Sequence, residues 1–310
     1  MKRVLVVGEI NVDLILQTYH AFPAPGREVL VDDFVMTLGS ASAIAAMGLA
    51  RLGTAVAFLG KVGADEYGEF CLKTMTRAGI DTSRVVRDPS LKTGVTVSIS
   101  SPQDRAFLTF LGSITALTGA EVTDEGPDVL AGFDHLHVSS YFLQEGLRPS
   151  IGEIFRRASR RGLSTSLDPG FDPSERWEGD LVETLDEVDV FFPNEVELEA
   201  LTGEADPAVA LRRLRNVRAL TVAKLGRRGA MVLDGDRLVH VPAFEIDPVD
   251  TTGAGDSFNA GFLHQWLQGR ALEECLQFGA ACGALSTRGL GGVSAQATLN
   301  EATALMNEGR

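Results

Sequence analysis

Short apolar runs recur along this chain, separated by segments whose apolar residues fall at helical spacing. Arg3–Val7 is almost continuously apolar and stops at Gly8. Such a run suits a parallel strand covered on both faces. Similar runs follow at Val56–Leu59, His135–Ser139, Leu163–Leu167, Val188–Phe192 and Ala219–Ala223. Between them, Ala41–Leu52, Glu66–Ala78, Ile151–Arg160 and Glu195–Leu201 read as helices, with Gly53 and Gly79 just beyond the first two. Glycine in that place ends a helix in the left-handed conformation. The last quarter reads as helices over Ser257–Leu267, Leu272–Thr287 and Ala297–Met306. Strand and helix alternating in this way predict an α/β fold built on a doubly wound, mostly parallel sheet.

Two stretches break the alternation. Val12–Phe34 and Thr93–Phe110 carry short β-like runs with turn residues and no helical period. Val95–Ser100 and Arg105–Phe110 flank Ser101-Pro102-Gln103-Asp104, a plausible hairpin turn. These segments either pair into a small sheet standing off the main domain or remain surface loops with local hairpins.

The 310 residues suit one large α/β domain with at most a small appendage. A formal net charge of −14 argues against a broad nucleic-acid footprint, which needs clustered Lys and Arg. It leaves a local phosphate site open, because backbone N–H groups can bind one. Cys71, Cys275 and Cys282 show no metal-type spacing, and Cys275 and Cys282 can line one buried helix face. Small buried thiols in a reduced compartment are the expectation. The apolar run after Met1-Lys2-Arg3 is too short for a secretory signal, and no stretch approaches a membrane span. Cytoplasm is the expected location, with no membrane partner.

The sharpest chemical feature is Asp250-Thr251-Thr252-Gly253-Ala254-Gly255-Asp256, leading into Phe258, Phe262 and Trp266 at helical spacing. Small residues before a helix leave its first N–H groups open, and the helix dipole adds positive potential there. That is a ready phosphate site. Asp256 within it can accept the proton of an attacking hydroxyl. The alternative is a glycine-rich turn with Asp as an ordinary first-turn residue. Asn194 and Glu197 form a helix N-cap with its capping-box partner, a role compatible with a second one in a site.

The 250–256 string resembles the second signature of the ribokinase (PfkB) family of carbohydrate kinases, close to DTxGAGD. The resemblance covers almost the whole chain. Gly8-Glu9-Ile10-Asn11-Val12-Asp13 is similar to the family's opening strand and its substrate-contacting Asp. Leu38-Gly39-Ser40-Ala41-Ser42-Ala43, continuing to Ala50-Arg51-Leu52-Gly53, resembles the first signature, and Lys61 through Gly68 the segment after it. Asp168-Pro169 matches a strand end, Asn194-Glu195-Val196-Glu197 the NxxE motif, and Leu225 through Ala230 the nucleotide-side loop.

The resemblance implies a ribokinase-like domain over 1–310: a central sheet flanked by helices, and a small β lid built from about 12–36 and 93–111. It implies ATP-dependent phosphorylation of a hydroxyl on a sugar or sugar-like molecule. Asp256 becomes the general base and Gly253, Ala254 and Gly255 the anion hole. Asp13 and Gly39 belong at the substrate. Lys224, Gly226, Gly229 and Gly255 lie along ATP, with Asn194. Glu197 acts on Mg²⁺ through water, as suits an ion that dehydrates reluctantly. Asp250, Thr252 and Ser294, with carbonyls near Leu285, Arg288 and Leu290, are candidates for a monovalent cation such as K⁺. Lid strands meet between protomers in similar proteins, so a homodimer through the lid is a further expectation.

The departures matter. Where the family usually has a second Gly and an Asn that bonds a sugar hydroxyl, this chain has Ser40 and Ile44. Ile44 makes the substrate side more apolar, and losing one matched hydrogen bond can redirect specificity. Gln144, with Tyr141 and Phe142, can supply replacement contacts or simply pack the loop. A purine nucleoside kinase of the same family therefore stays open as an alternative acceptor reading, and a non-catalytic sugar or nucleotide sensor as a reading of another class. His135 and His137 alternate on a strand and read as structural, and Arg156-Arg157 and Arg160-Arg161 as a solvated helix face. No GxxxxGK[ST] loop occurs, and no GxGxxG follows the first strand.

Overall fold

Chain segments with apolar residues on both faces form the middle of a nine-stranded sheet, and the two irregular stretches pair into a separate four-stranded one. The computed structural model describes residues 2–17, 25–100, 105–123, 128–177 and 179–308. The strands are β1 Arg3–Val7, β2 Asn11–Gln17, β3 Asp33–Leu38, β4 Ala55–Gly63, β5 Asp81–Asp88, β6 Gly94–Ser100, β7 Arg105–Phe110, β8 His135–Val138, β9 Ser164–Leu167, β10 Val190–Phe191, β11 Leu220–Lys224, β12 Ala230–Asp234 and β13 Arg237–Val241. The helices are α1 Ala41–Arg51, α2 Glu66–Arg77, α3 Ala120–Thr123, α4 Ile151–Arg160, α5 Leu181–Thr184, α6 Glu195–Thr202, α7 Pro207–Arg213, α8 Ala254–Trp266, α9 Leu272–Ser286 and α10 Leu299–Glu308.

The large sheet runs β13-β12-β11-β10-β9-β8-β1-β4-β5. From β11 to β5 every pairing is parallel, and the β12–β13 hairpin adds an antiparallel edge. Alternation along β1 shows why its apolar run is continuous. Val4 and Val6 enter the core beneath α1, α8 and α9, whereas Leu5 and Val7 enter the core on the α4 side. Burying each such side chain contributes about 1.5–3 kcal/mol. Both Cys275 and Cys282 are buried and unpaired in α9. His135 and His137 are buried in the sheet, bridged by the Ser166 hydroxyl at 2.7 Å from each. Burial lowers their basicity to about 3 and about 4, which keeps both neutral.

The small sheet runs β3-β2-β6-β7, so the segments expected as lid do pair with each other. Residues 18–24 of that expectation, and the proposed hairpin turn at 101–104, lie outside the described residues. Three strands escape the apolar pattern. β5 is an edge strand with exposed and half-buried residues throughout, and β12 and β13 form a hairpin in which buried Ala230, Val232, Val239 and Val241 alternate with more exposed residues. The apolar run 188–192 contributes only Val190–Phe191 as strand, and the 250s helix starts at Ala254, before the first apolar position of its period. Among the described residues no helix is long and apolar enough to cross a membrane.

Candidate active site

Parallel strands deliver their C-terminal ends to one edge, where an open α/β sheet forms its sites. Here that edge carries Glu9 after β1, Ser139 and Ser140 after β8, Asp168 after β9, Asn194 after β10 and Lys224 at the end of β11. The N-terminus of α8 faces them. Gly253 is its N-cap at φ 71°, and no side chain caps the helix. A β-carbon at Gly253 would meet Gly292 Cα at 2.7 Å, so only glycine serves both the turn and the close approach. The first amides of α8 are thus left without a side-chain partner, as an anion site requires. Ala254 N–H does point back, at 3.3 Å, to Thr251 O.

Asp256 lies in this first turn, part-exposed, and a β-carbon on the neighbouring Gly255 would stand 3.5 Å from Lys224 Nζ. Lys224 Nζ and Asn259 Nδ2 both donate to Asp168 Oδ2 at 2.5 Å. Burial drives the Asp256 carboxyl well above the usual carboxylate range, and the charges of Asp168 and Glu9 add to that, against Lys224. Burial likewise raises Glu197 to about 7, with Asp168 contributing. Burial opposes the charge on Lys224, but Asp168 and Glu197 more than offset it and raise its pKa. Desolvation would push Asp168 up as well, and its contacts with Lys224, Asn259 and Gly170 N–H hold it down.

Glu197 closes the capping box that the Asn194/Glu197 spacing predicts: its Oε2 accepts from Asn194 N–H at 2.8 Å and its Oε1 from Asn194 Nδ2 at 2.7 Å. Asn194, Glu195 and Val196 form one wall of a pocket of about 430 Å³, and Lys224 through Arg228 form the other. Of the residues expected along the nucleotide, Asn194, Lys224 and Gly226 line it and Gly229 and Gly255 do not. Gly229 has φ 90°, and a β-carbon there would lie 2.0 Å from Val241 O. Its place is set by the tight passage of the chain rather than by the pocket.

The acceptor-side candidates also meet. A β-carbon on Gly39 would lie 2.1 Å from Asp13 Oδ1, so the carboxylate of β2 rests on the bare backbone after β3. Burial pushes Asp13 up to about 6, restrained by the Asn11 hydrogen bond and raised further by Asp250. Ile44 is buried, its side chain within 3.0 Å of where a Gly253 β-carbon would stand and packed under Gly292. Gln144 is fully buried, with its Nε2 donating to Ser139 O at 2.6 Å, while Tyr141 donates to Asp180 Oδ1. Tyr141 thus turns away as a structural residue. Asp250 accepts from Thr252 N and Oγ1 and from Gly291 N–H, and Ser294 Oγ donates to Leu290 O. The candidates for a monovalent cation therefore sit around one turn, with these oxygens already bonded to the chain.

Two residues were missed by sequence reasoning. Glu9 is buried, takes Ser42 Oγ at 2.5 Å and Ser42 N–H at 3.2 Å, and adds its charge to the Asp256 neighbourhood. Asn259 reaches Asp168 from the second turn of α8. Their only signal was a polar residue amid apolar or small neighbours.

The pfkB family carbohydrate kinase model matches residues 1–298. The chain is 34% identical over 233 residues to an uncharacterized sugar kinase of Archaeoglobus fulgidus, covering 75% of this chain and 91% of that one. It is 31% identical over 309 residues to an ATP-dependent ribose-1-phosphate kinase of Halopiger xanaduensis, covering 99% of each. The Arabidopsis thaliana ribokinase complexed with ribose and ATP superposes with a TM-score of 0.86 at 22% identity, over 99% of both chains. With the fold, the uncapped helix and the family match in agreement, the chain belongs to the pfkB family of carbohydrate kinases.

Proposed function

We propose that this kinase transfers the γ-phosphoryl group of ATP to a hydroxyl of a sugar or sugar-like molecule, with Asp256 as general base. The observation that carries the assignment of roles is Asp256 in the first turn of a helix with no side-chain cap, beside Lys224 on a pocket wall. In the reaction the acceptor oxygen forms a bond to the γ-phosphorus, the bond from that phosphorus to the bridging oxygen breaks, and ADP leaves. The hydroxyl proton passes to an Asp256 carboxylate oxygen. The raised affinity of that carboxylate for protons suits it to accept one in the transition state and release it afterwards. The α8 amides stabilise the charge on the transferring group, the main task in phosphoryl transfer.

The pocket between Asn194–Val196 and Lys224–Arg228 has the size and the backbone-lined, basic edge to take the nucleotide. Mg²⁺, which would neutralise charge on the phosphates, fits beside Asn194 and Glu197 only through water, because Glu197 is buried and already holds its cap. Asp250, Thr252 and Ser294 are the residues that would answer to K⁺; an unchanged rate in a large organic cation removes that role. Closure of the small sheet over the acceptor would exclude water and limit ATP hydrolysis. Three free, buried cysteines suit the cytoplasm.

The outer face of the small sheet offers a dimer contact to a second copy of the chain. Phe34, Met36, Leu108 and Phe110 point the same way in register and are each exposed. The opposite face carries Asp13 and Thr37, which are buried. An open sheet with one face on the site and an apolar second face is complementary to itself about a two-fold axis.

ADP release assayed against sugars, sugar acids and nucleosides tests the function. A purine nucleoside as the best acceptor would select the second reading, which the apolar wall formed by Ile44 favours; no acceptor-dependent release would leave a sensor.

A further inference from the structure

We infer that the acceptor is an uncharged polyol, and that sugar acids and sugar phosphates are refused at the acceptor side; this rests on the kinase reading above. Two independent observations carry it. The first is charge. Asp13 lies on Gly39, Asp250 is near enough to act on it, and Glu9 at the neighbouring sheet edge acts on Asp256 in the facing turn of α8. Among the described residues the cation acting on Asp256 is Lys224, and its ammonium is held by Asp168 at 2.5 Å. Three rows of the small sheet turn with Asp13 toward this side: Thr37–Asp13–Thr96–Thr109, Val35–Ile15–Ser98–Phe107 and, farthest from Asp13, Asp33–Gln17–Ser100–Arg105. The two rows nearer Asp13 hold no Lys or Arg. Arg105 enters β7 at the far end of the sheet, paired with Ser100. A carboxylate or phosphate on the acceptor would enter this field with no guanidinium or ammonium in the two rows beside Asp13 to receive it, and like charges brought together in a closing site are strongly refused.

The second observation is the direction of the unmatched hydrogen bonds. Asn11 is 3% exposed. Its Nδ2 is spent on Asp13 Oδ1 at 3.1 Å, Thr96 Oγ1 at 3.0 Å and Val12 O at 3.3 Å. Its Oδ1 has no partner among the described residues. Gln144 repeats the pattern, with Nε2 on Ser139 O and Oε1 unmatched. Ionised Asp13 is also acceptor-only. Beside Asp13 the unmatched buried atoms are thus acceptors, the unmatched donor Gln17 Nε2 lying two rows away along β2, and a buried acceptor left unmatched is costly. Hydroxyls bring donors, whereas carboxylates and phosphates bring further acceptors. Ile44, buried against Gly253 and Gly292, brings no positive group to that side.

The test is acceptor-dependent ADP release at saturating ATP and Mg²⁺. D-ribose, D-fructose and adenosine serve as neutral acceptors, D-gluconate and 2-dehydro-3-deoxygluconate as sugar acids, and ribose 1-phosphate as sugar phosphate. The best neutral acceptor is expected to exceed every anionic one by about 100-fold or more in kcat/KM. An anionic acceptor that equals or exceeds it overturns the inference and leaves the kinase standing. Absence of any acceptor-dependent release removes the kinase reading and the inference with it. Binding without chemistry is read on Asp256→Asn by thermal protection. Protection by neutral acceptors and not by anionic ones supports the inference, and the reverse order refutes it.

Discussion

The carboxylate of Asp13 occupies the space that a β-carbon on Gly39 would need, with Oδ1 2.1 Å and Cγ 2.4 Å from that position. Asp13 lies on β2 and Gly39 directly follows β3, so a side chain at position 39 has to displace the carboxylate. Gly39→Ala is expected to displace Asp13 and raise the acceptor KM about tenfold or more while leaving nucleotide affinity intact, because the nucleotide-side pocket is built from other elements. Steady-state kinetics with each substrate varied checks this; an unchanged acceptor KM would remove Asp13 from the acceptor side.

Asp256→Asn is expected to lower kcat by about 10²–10⁴-fold, the range for loss of a general base, with ATP affinity kept. The same variant has a stability signature. The folded state raises the Asp256 pKa, so it binds this proton more tightly than the unfolded chain does. Ionising the group therefore costs stability as pH rises above the unfolded value of about 4. The Asn variant is expected to unfold at higher temperature than the parent at pH 7, with the difference vanishing near pH 4. Calorimetry at both pH values reads it.

Lys224 and Asp168 form a buried ion pair, with side-chain exposures of 13% and 5%. Lys224→Met leaves Asp168 with Asn259 and the Gly170 amide but no counter-charge. Breaking one side of such a pair typically costs about 3–5 kcal/mol. Denaturant unfolding is expected to show a loss of that order, and a loss under about 1 kcal/mol would mark the pair as surface-like.

Ser40 takes φ 76° and ψ 130°, a conformation that glycine adopts freely and serine does not. Its hydroxyl offsets part of the strain by donating to Glu9 O at 2.5 Å and accepting from Ala43 N–H at 3.3 Å. Strain of this kind costs about 1–3 kcal/mol, while a Ser-to-Gly change at an N-cap costs only a few tenths. Ser40→Gly is therefore expected to stabilise the protein by about 1 kcal/mol, read by unfolding. Destabilisation would show that the Glu9 contact outweighs the backbone.

Leu108→Asp on the outer face of the small sheet is expected to convert a dimer into a monomer in light scattering, with kcat kept if the site is complete in one chain. A parent protein that is already monomeric at micromolar concentration ends the dimer reading.

How much could be read from the chain depended on what each signal rests on. Segments whose burial repeats along their own length were legible: β1, α1, α2 and α4 stand where the apolar period puts them, and the N-cap pair Asn194–Glu197 forms because capping is a local contact. The string 250–256 announced a helix end with open amides for the same reason, since small residues before a helix act within one turn. β5 was not legible, because as an edge strand it is exposed or half-buried along its whole length, and β12 and β13 were not, because their burial alternates over only five residues each. Nor was the charge around Asp256. Glu9, Asp168, Glu197, Lys224 and Asp256 are scattered along the chain, and no local pattern among them tells which act on one another. Only the parallel sheet, by bringing the ends of β1, β9, β10 and β11 to one edge under α8, puts them close enough for their fields to act on one another. Local chemistry wrote the elements and the phosphate-ready turn; the long-range packing of strand ends decided which carboxylates act on one another and which is held by lysine.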